Sequence, residues 1–159
     1  MSFNKFMHPR NPFKNKPDYR VLAEKYPEFG EYLVPYSSNK KFRIDFNDPN
    51  ALRCLSTVLL KDKFDLNVNI PPNRLIPSIP QRVNYVLWLE DIVRSCFDRS
   101  ERIDLIDCGT GASCVFPLIA VRMNPNWNFV ATELDDYSLE CAKQNCESNQ
   151  LADRIKGKY

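Results

Sequence analysis

The stretch that most constrains the fold is a predicted strand that runs into a glycine-rich turn, with the sequence IDLIDCGTGAS at residues 103–113. The apolar run Ile103–Cys108 predicts a parallel strand in the centre of a sheet. Gly109 and Gly111 allow the backbone to turn sharply and to approach a ligand closely. The stretch therefore predicts an α/β fold with a small-molecule site at the turn.

A second predicted strand ends on a carboxylate. It covers Asn128–Thr132, and Glu133 follows it, 22 positions after Gly111. In nucleotide-binding folds an acidic residue about 20 positions beyond the glycine turn reaches the ribose hydroxyls. A carboxylate accepts both hydroxyl protons, so Glu133 is predicted to bind the ribose of a cofactor. The alternative is that Glu133 caps a helix or lies in a solvated turn.

The glycine spacing bears on which cofactor binds. A dinucleotide fingerprint requires a third glycine at position 114, where this chain has Cys114. Its absence weakens the prediction of a nicotinamide cofactor and favours S-adenosylmethionine. An acidic group near the strand end, such as Asp107, meets the ammonium of an amino acid better than a pyrophosphate. A nicotinamide-dependent oxidoreductase remains the alternative enzyme class.

The surrounding segments predict further helices and a connector. Asp48 and Pro49 read as a helix cap and first helical residue, with one apolar face beyond them. The proline-rich segment 70–80 predicts rigid, extended chain. A helix with an apolar stripe is predicted over about 82–97. Before it, a short helix is expected over 19–33 and a strand over 42–46. After the glycine turn, the sequence predicts a helix over 112–123 kinked at Pro117, a helix over 134–149 capped by Asp135 and Asp136, and a strand over 153–159. The apolar stripe of the helix over 82–97 consists of Tyr85, Leu89, Ile92 and Cys96, with Val86 and Val93 beside it.

Charge divides the chain unevenly. Residues 1–20 contain five basic residues against Asp18, a net charge of +4, whereas the whole chain carries +2. A basic arm on a nearly neutral body indicates a polyanionic partner, and aromatic residues between its cations suit stacking on unpaired bases. The same aromatics could instead dock the arm on its own domain, and a solvated tail is the third alternative. The predicted organisation is a basic arm at 1–20, an accessory region with the proline-rich connector at 21–80, and the first part of a Rossmann-like domain at 81–159.

Several classes of protein are disfavoured by composition. The six cysteines form no CxxC pair and the single histidine is His8, so zinc-ligand spacing and a Cys–His nucleophile are not predicted. The cysteines are expected to be small, reduced core residues. The N-terminus has no apolar signal region and no run is long enough to span a bilayer, so an intracellular protein without a membrane partner is expected.

The chain resembles the adenine-N6 methyltransferases that modify U6 small nuclear RNA, known in animals as methyltransferase-like protein sixteen. The resemblance covers essentially all 159 residues and is carried by KFMHPRNPFKNKPDY, FNDPNALR, RLIPSIPQRVNYVLWLED, DCGTGASCVFPL and WNFVATELDD. It implies a Rossmann-like class I fold that uses S-adenosylmethionine. It also implies N6-methyladenosine formation in U6 RNA and in structured mRNA, including S-adenosylmethionine synthetase transcripts, and a nuclear location with some cytoplasmic presence.

The resemblance also implies roles for individual residues. Gly109 and Ser113 would belong to the cofactor loop, Glu133 would hold the ribose, and Arg82 would pair with the methionine carboxylate as a bidentate guanidinium. The arm would contact RNA through Lys5, Arg10, Lys14, Lys16, Pro17, Asp18, Tyr19 and Arg20.

The sequence departs from the family at the catalytic motif. Members of that family carry an Asn-Pro-Pro-aromatic sequence after a later strand, where it holds the target adenine. Here Asn124-Pro-Asn-Trp127 precedes the second strand and lacks the second proline. The motif is expected beyond Tyr159. The 159 residues are therefore expected to form an incomplete sheet, and the polypeptide is expected to be inactive by itself and prone to associate. The rival interpretation is a non-catalytic RNA-binding or interaction fragment.

Overall fold

The computed structural model describes residues 6–36, 42–98 and 100–158. Within these ranges the chain forms six helices and five strands in the order α1, α2, β1, β2, α3, α4, β3, α5, β4, α6, β5. Their bounds are α1 Tyr19–Lys25, α2 Pro27–Gly30, β1 Val34–Pro35, β2 Phe42–Arg43, α3 Pro49–Phe64, α4 Ile79–Cys96, β3 Ile103–Cys108, α5 Val115–Met123, β4 Trp127–Thr132, α6 Asp136–Ser148 and β5 Ile155–Lys158.

The main sheet is parallel, and its strands lie in the order β3-β4-β5. Ile103 pairs with Trp127 and Cys108 pairs with Thr132, so the carboxyl ends of β3 and β4 meet at one edge. The parallel pairing confirms the α/β prediction. The central position expected for β3 is not observed among the described residues, where β4 is the middle strand. Ile106 of β3 is accordingly 71% exposed.

One predicted helix start is confirmed and two are shifted by local backbone chemistry. The Asp48 side chain caps α3 as predicted, accepting the Asn50 N–H at 2.8 Å. Helix α4 begins at Ile79, earlier than predicted, because Pro80 fits a first turn where no N–H is needed. Helix α5 begins only at Val115, so Pro117 lies in its first turn and no kink arises.

The buried face of α4 differs from the predicted stripe. Val83 and Leu87, which lie outside the predicted stripe, are buried together with Val86, which was predicted beside it, whereas Tyr85 and Ile92 are 46% and 41% exposed. Both faces of this helix carry apolar residues, so the pattern alone does not specify which face is buried. The neighbouring elements decide it by packing against one face. The predicted strand over 42–46 is also shorter than expected, since only β2 pairs, with β1.

One hydrophobic cluster joins the arm, the accessory region and the sheet. It includes Phe13 from the arm, Leu59 from α3, Leu87 from α4 and Leu118 from α5. The predicted three-part division of the chain stays a prediction.

Some apolar surface remains outside this core. Trp88 is 54% exposed, on the same side of α4 as Tyr85.

In the part of the chain that the structure describes, no helix is long and apolar enough to cross a membrane. The same residues contain no cluster of side chains that could hold a metal ion.

Candidate cofactor site and RNA-binding arm

The glycine turn lies at the carboxyl edge of the sheet and leaves open space above it. Gly109 and Gly111 have φ angles of +74° and +68°, which L side chains rarely adopt. No heavy atom of the described residues lies within 4 Å of where a Cβ would stand at either glycine, apart from atoms of the adjacent residues. The N–H groups of Gly109 and Thr110 both donate to the Thr132 carbonyl at 2.9 Å, which ties the turn to the end of β4.

Glu133 is held beside this turn by backbone donors. Its Oε2 accepts the Gly111 N–H at 2.9 Å. Its Oε1 accepts the N–H groups of Leu134 at 2.8 Å and of Asp135 at 3.1 Å. A carboxylate has about four lone-pair sites. Three of these sites are taken by backbone N–H groups, so about one remains for a ribose hydroxyl in the position that the sequence predicted.

Arg82 and Asp107 supply two polar atoms that lack partners next to the turn. Nε of Arg82 and Oδ2 of Asp107 are buried and have no hydrogen-bond partner within the described part of the chain. The guanidinium of Arg82 lies 4.9 Å from the centre of the Phe116 ring. Burial raises the pKa of Asp107, while the Thr110 hydroxyl and the Arg82 charge act against that rise.

Buried polar atoms without a protein partner are candidates for contact with a water or a ligand, and Tyr19, Arg53 and Ser78 carry such atoms as well. A guanidinium suits a carboxylate, a carboxyl group suits an ammonium, and Glu133 suits hydroxyl groups. Together they match the chemistry of an amino acid joined to a nucleoside. The donor set therefore fits S-adenosylmethionine better than a dinucleotide.

The residues after the turn are packed as core. Ser113 is buried, and Cys114 has a left-handed φ of 49° and caps α5. The Cys114 Sγ lies 3.8 Å from the Cys146 Sγ, and this contact together with burial raises the pKa of Cys114. The prediction that the cysteines are core residues is confirmed for Cys114, Cys141 and Cys146, but it is wrong for Cys96 and Cys108, which are exposed.

Asn124–Trp127, the sequence that superficially resembles a base-holding motif, lies at the wrong edge of the sheet. Trp127 begins β4 and pairs with Ile103, whereas the glycine turn follows Cys108 at the other end of β3. Six-residue strands separate the two edges by about 17–20 Å. The Asn124 amide is also engaged, since it donates to Glu90 at 2.9 Å.

Residues in the middle of the arm contact α4. Arg10 forms an ion pair with Glu90 at 2.5 Å and a second with Asp91. These carboxylates raise the pKa of Arg10 despite the opposing effect of burial. His8 contacts Asp91 at 2.8 Å. Phe13 is fully buried, so the arm is anchored rather than solvated.

The other predicted RNA contacts differ in their environments. Lys14 and Lys16 are exposed, and the Lys16 ammonium lies 4.7 Å from the centre of the Tyr19 ring. Tyr19 is 4% exposed and packs edge-on against Phe29. Pro17 is half-buried, Asp18 caps α1, Arg20 pairs with Glu24, and Lys5 lies outside the described residues.

Two residues that support the site were not found by sequence reasoning. The buried Asn145 amide donates to the carbonyls of Ala112 and Asn69, both at 3.0 Å, and so joins the glycine-turn segment to the chain that leads into the proline-rich segment. Arg74 forms an ion pair with Asp135 at 2.8 Å. Their partners are 33 to 76 positions away, so no local pattern indicated them.

A family model for RNA methyltransferases matches residues 1–158. The chain belongs to this RNA methyltransferase family. This membership removes the oxidoreductase alternative, and it confirms the resemblance stated from the sequence motifs.

Individual members of the RNA methyltransferase family are similar over nearly the whole chain. The RNA N(6)-adenosine-methyltransferase mettl16 of Danio rerio is 46% identical over 98% of this chain and 32% of its own length. The U6 small nuclear RNA (adenine-(43)-N(6))-methyltransferase of Caenorhabditis elegans is 44% identical over 98% of this chain and 32% of its own length. The chain thus spans about a third of the length of these curated relatives.

Solved structures of the family share the fold. The N-terminal domain of human METTL16 in complex with SAH matches with a TM-score of 0.89 and 44% identity, over 96% of this chain and 58% of that one. The catalytic domain of human METTL16 in complex with MAT2A 3'UTR hairpin 6 matches with a TM-score of 0.87 and 41% identity, over 96% of this chain and 52% of that one. The Rossmann-like methyltransferase fold is thereby confirmed.

Proposed function

We propose that the chain provides the S-adenosylmethionine site and part of the RNA-binding surface of an RNA adenine-N6 methyltransferase. The observation that carries this proposal is the pair of unpartnered buried atoms, Arg82 Nε and Asp107 Oδ2, beside the open glycine turn and Glu133. U6 small nuclear RNA and hairpins of S-adenosylmethionine synthetase transcripts are the proposed substrates. The names of the relatives and the RNA-bound neighbour support this choice.

Each residue has a distinct role in holding the cofactor. Arg82 would bind the methionine carboxylate, Asp107 its ammonium, and Glu133 a ribose hydroxyl, while Gly109 and Ser113 form the loop around them. When bound, S-adenosylmethionine supplies a methyl group that its sulfonium has already activated. The residues of this chain therefore contribute orientation, and alignment with the adenine amino group supplies most of the acceleration.

The arm is proposed to contribute to RNA binding in two ways. Exposed Lys14 and Lys16, together with Lys5 and Arg20, offer charges to the phosphate backbone. Pro17, Asp18 and Tyr19 lie between them and shape that surface. The Arg10 guanidinium is held by Glu90 and Asp91, so its proposed contribution is to hold the arm in position for RNA.

We propose that base capture depends on an Asn-Pro-Pro-aromatic sequence, as the family resemblance implies. No Asn-Pro-Pro-aromatic sequence occurs among the 159 residues. We therefore expect the 159-residue polypeptide to bind cofactor and hairpin RNA without transferring a methyl group. The second candidate function, a non-catalytic RNA-binding fragment, is favoured by the same observation. Reading the transcript beyond the codon for Tyr159 for an in-frame Asn-Pro-Pro-Phe distinguishes the two.

Calorimetric titration tests the cofactor assignment directly. S-adenosylhomocysteine is expected to bind the wild-type chain more tightly than NAD, and Arg82→Ala is expected to weaken that binding. Tighter binding of NAD would refute the proposal. Methyl transfer from labelled S-adenosylmethionine to a hairpin RNA by the purified 159-residue chain would refute the predicted inactivity.

Nuclear location is part of the proposal, with some cytoplasmic presence, because U6 is a nuclear spliceosomal RNA. Imaging of a fluorescently tagged product of the whole reading frame checks it. A signal confined to the cytoplasm would contradict it.

A further inference from the structure

The proline-rich segment is fixed at both ends against α3. The Arg53 guanidinium donates to the Pro72 carbonyl at 2.9 Å, and the Ser56 hydroxyl donates to the Pro77 carbonyl at 2.9 Å. A turn between them is closed by the Arg74 N–H, which donates to the Pro71 carbonyl at 3.1 Å. Arg74 therefore extends from a rigid support.

The Arg74 side chain contacts three residues at the start of α6. Its Nη2 lies 2.8 Å from Asp135 Oδ2, its Nε donates to the Ser138 hydroxyl at 2.9 Å, and its guanidinium lies 5.0 Å from the centre of the Tyr137 ring. Asp135 is the helix cap and accepts the Ser138 N–H at 2.9 Å. Arg74 thus holds both the cap and the residue that it caps.

The same helix start carries the donors that hold Glu133. Oε1 of Glu133 accepts the N–H groups of Leu134 and Asp135, which directly precede α6. Movement of Asp135 would therefore move two of the three backbone donors that orient this carboxylate. The third donor, Gly111, belongs to the cofactor turn.

We propose that Arg74 is a positioning residue for the ribose-binding carboxylate: it clamps the first turn of α6 and thereby orients Glu133. The inference rests on the proposed function, because it assigns Arg74 to the same cofactor site. It also gives the proline-rich segment a role, which is to carry a cation to the first turn of α6. Arg74 itself has no contact with Glu133 in the described structure, so its effect is indirect.

The expected effect is moderate. Weakening one hydrogen bond to a charged group is enough to change affinity about tenfold. The amides of Gly111, Leu134 and Asp135 remain after Arg74→Ala, so we expect S-adenosylhomocysteine to bind about tenfold more weakly. Lysine lacks the planar fork that reaches Asp135 and Ser138 together, so Arg74→Lys is expected to recover only part of the loss.

A double-mutant cycle distinguishes positioning from general stabilisation. Affinity for S-adenosylhomocysteine is measured for the wild type, Arg74→Ala, Glu133→Ala and the double variant. If Arg74 acts through Glu133, its removal matters little once Glu133 is gone, and the effects are not additive. Additive losses would overturn the proposal. Arg102→Ala, which removes an exposed ion pair with Asp104, is the matched control and is expected to leave affinity unchanged.

Amide hydrogen exchange in the ligand-free protein gives a readout that does not depend on the cofactor. Arg74→Ala is expected to speed exchange at Ser138, whose N–H the Asp135 side chain accepts, by about tenfold relative to Arg102→Ala. An unchanged exchange rate at the Ser138 amide would overturn the proposal that Arg74 holds the first turn of α6, even if cofactor affinity fell. If the wild type failed to bind S-adenosylhomocysteine, the proposed function would fall, and exchange would still decide whether Arg74 clamps α6.

Discussion

Arg10 offers the sharpest test of what the arm does, because its charge suggests RNA binding whereas its contacts suggest a structural anchor. We predict that Arg10→Ala destabilises the fold. The Glu90 side chain is 3% exposed and is paired with Arg10 at 2.5 Å and with Arg94 at 3.2 Å. Removing Arg10 leaves a buried carboxylate with less of its compensation.

The magnitude follows from the burial of the two partners. Breaking a buried ion pair by removing one partner costs about 3–5 kcal/mol, and breaking an exposed one costs about 0.2–1 kcal/mol. The Arg10 side chain is 37% exposed, and Arg94 and Asn124 still contact Glu90 after the change. We therefore expect a loss of about 2 kcal/mol, or about 30-fold in the unfolding equilibrium.

Urea unfolding of Arg10→Ala measures this change, with Lys14→Ala as the matched control. Lys14 is exposed, so its replacement is expected to change the free energy of unfolding by less than about 0.5 kcal/mol. Combining Arg10→Ala with Glu90→Gln is expected to restore part of the loss, because the uncompensated buried charge is gone. An Arg10→Ala protein with wild-type stability but weaker RNA binding would refute the reasoning.

Three further changes test the site and the packing. Asp107→Asn is expected to weaken S-adenosylhomocysteine binding about tenfold, since a charge-assisted hydrogen bond is lost, as titration would reveal. Because burial raises the pKa of Asp107, its ionisation opposes folding. At neutral pH and without ligand the variant should therefore be more stable to unfolding than the wild type, and this gain should vanish as the pH falls below the pKa that aspartate has in the unfolded chain; a less stable variant would contradict this. Replacing Lys14 and Lys16 with Gln should lower hairpin RNA affinity and reduce the slope of log affinity against log salt by about 2, and an unchanged slope would remove both from the interface. Iodoacetamide should label exposed Cys96 and Cys108 in the folded protein, as mass spectrometry can show, and labelling of the three buried thiols before unfolding would contradict the packing.

Much of the cofactor site could be predicted from local sequence. The strand before Gly109, the second strand that ends at Glu133, and the caps formed by Asp48 and Asp135 all appear where the pattern indicated. These features depend on backbone conformation, capping chemistry and short-range periodicity, which neighbouring residues specify. A recognisable set of motifs then identified the family.

The contributions of Arg10, Arg74 and Asn145 could not be predicted in this way. Arg10 reads as an RNA contact in a basic arm, yet its partners are 80 and 81 positions away on α4. The buried face of α4 was also misjudged, because Tyr85 and Ile92 form as apolar a stripe as the residues that are buried.

The sequence by itself determined the strand, turn and carboxylate that make a cofactor site, since each depends on residues a few positions apart. Only the tertiary structure decided which cations are committed to ion pairs, which helix face is buried, and what holds Glu133 in place. The physical reason is that burial and charge pairing depend on which distant segments pack together. Arg82 and Asp107 illustrate the difference: the sequence could name them as candidate ligands, but only folding leaves each with an unpaired buried atom beside the turn.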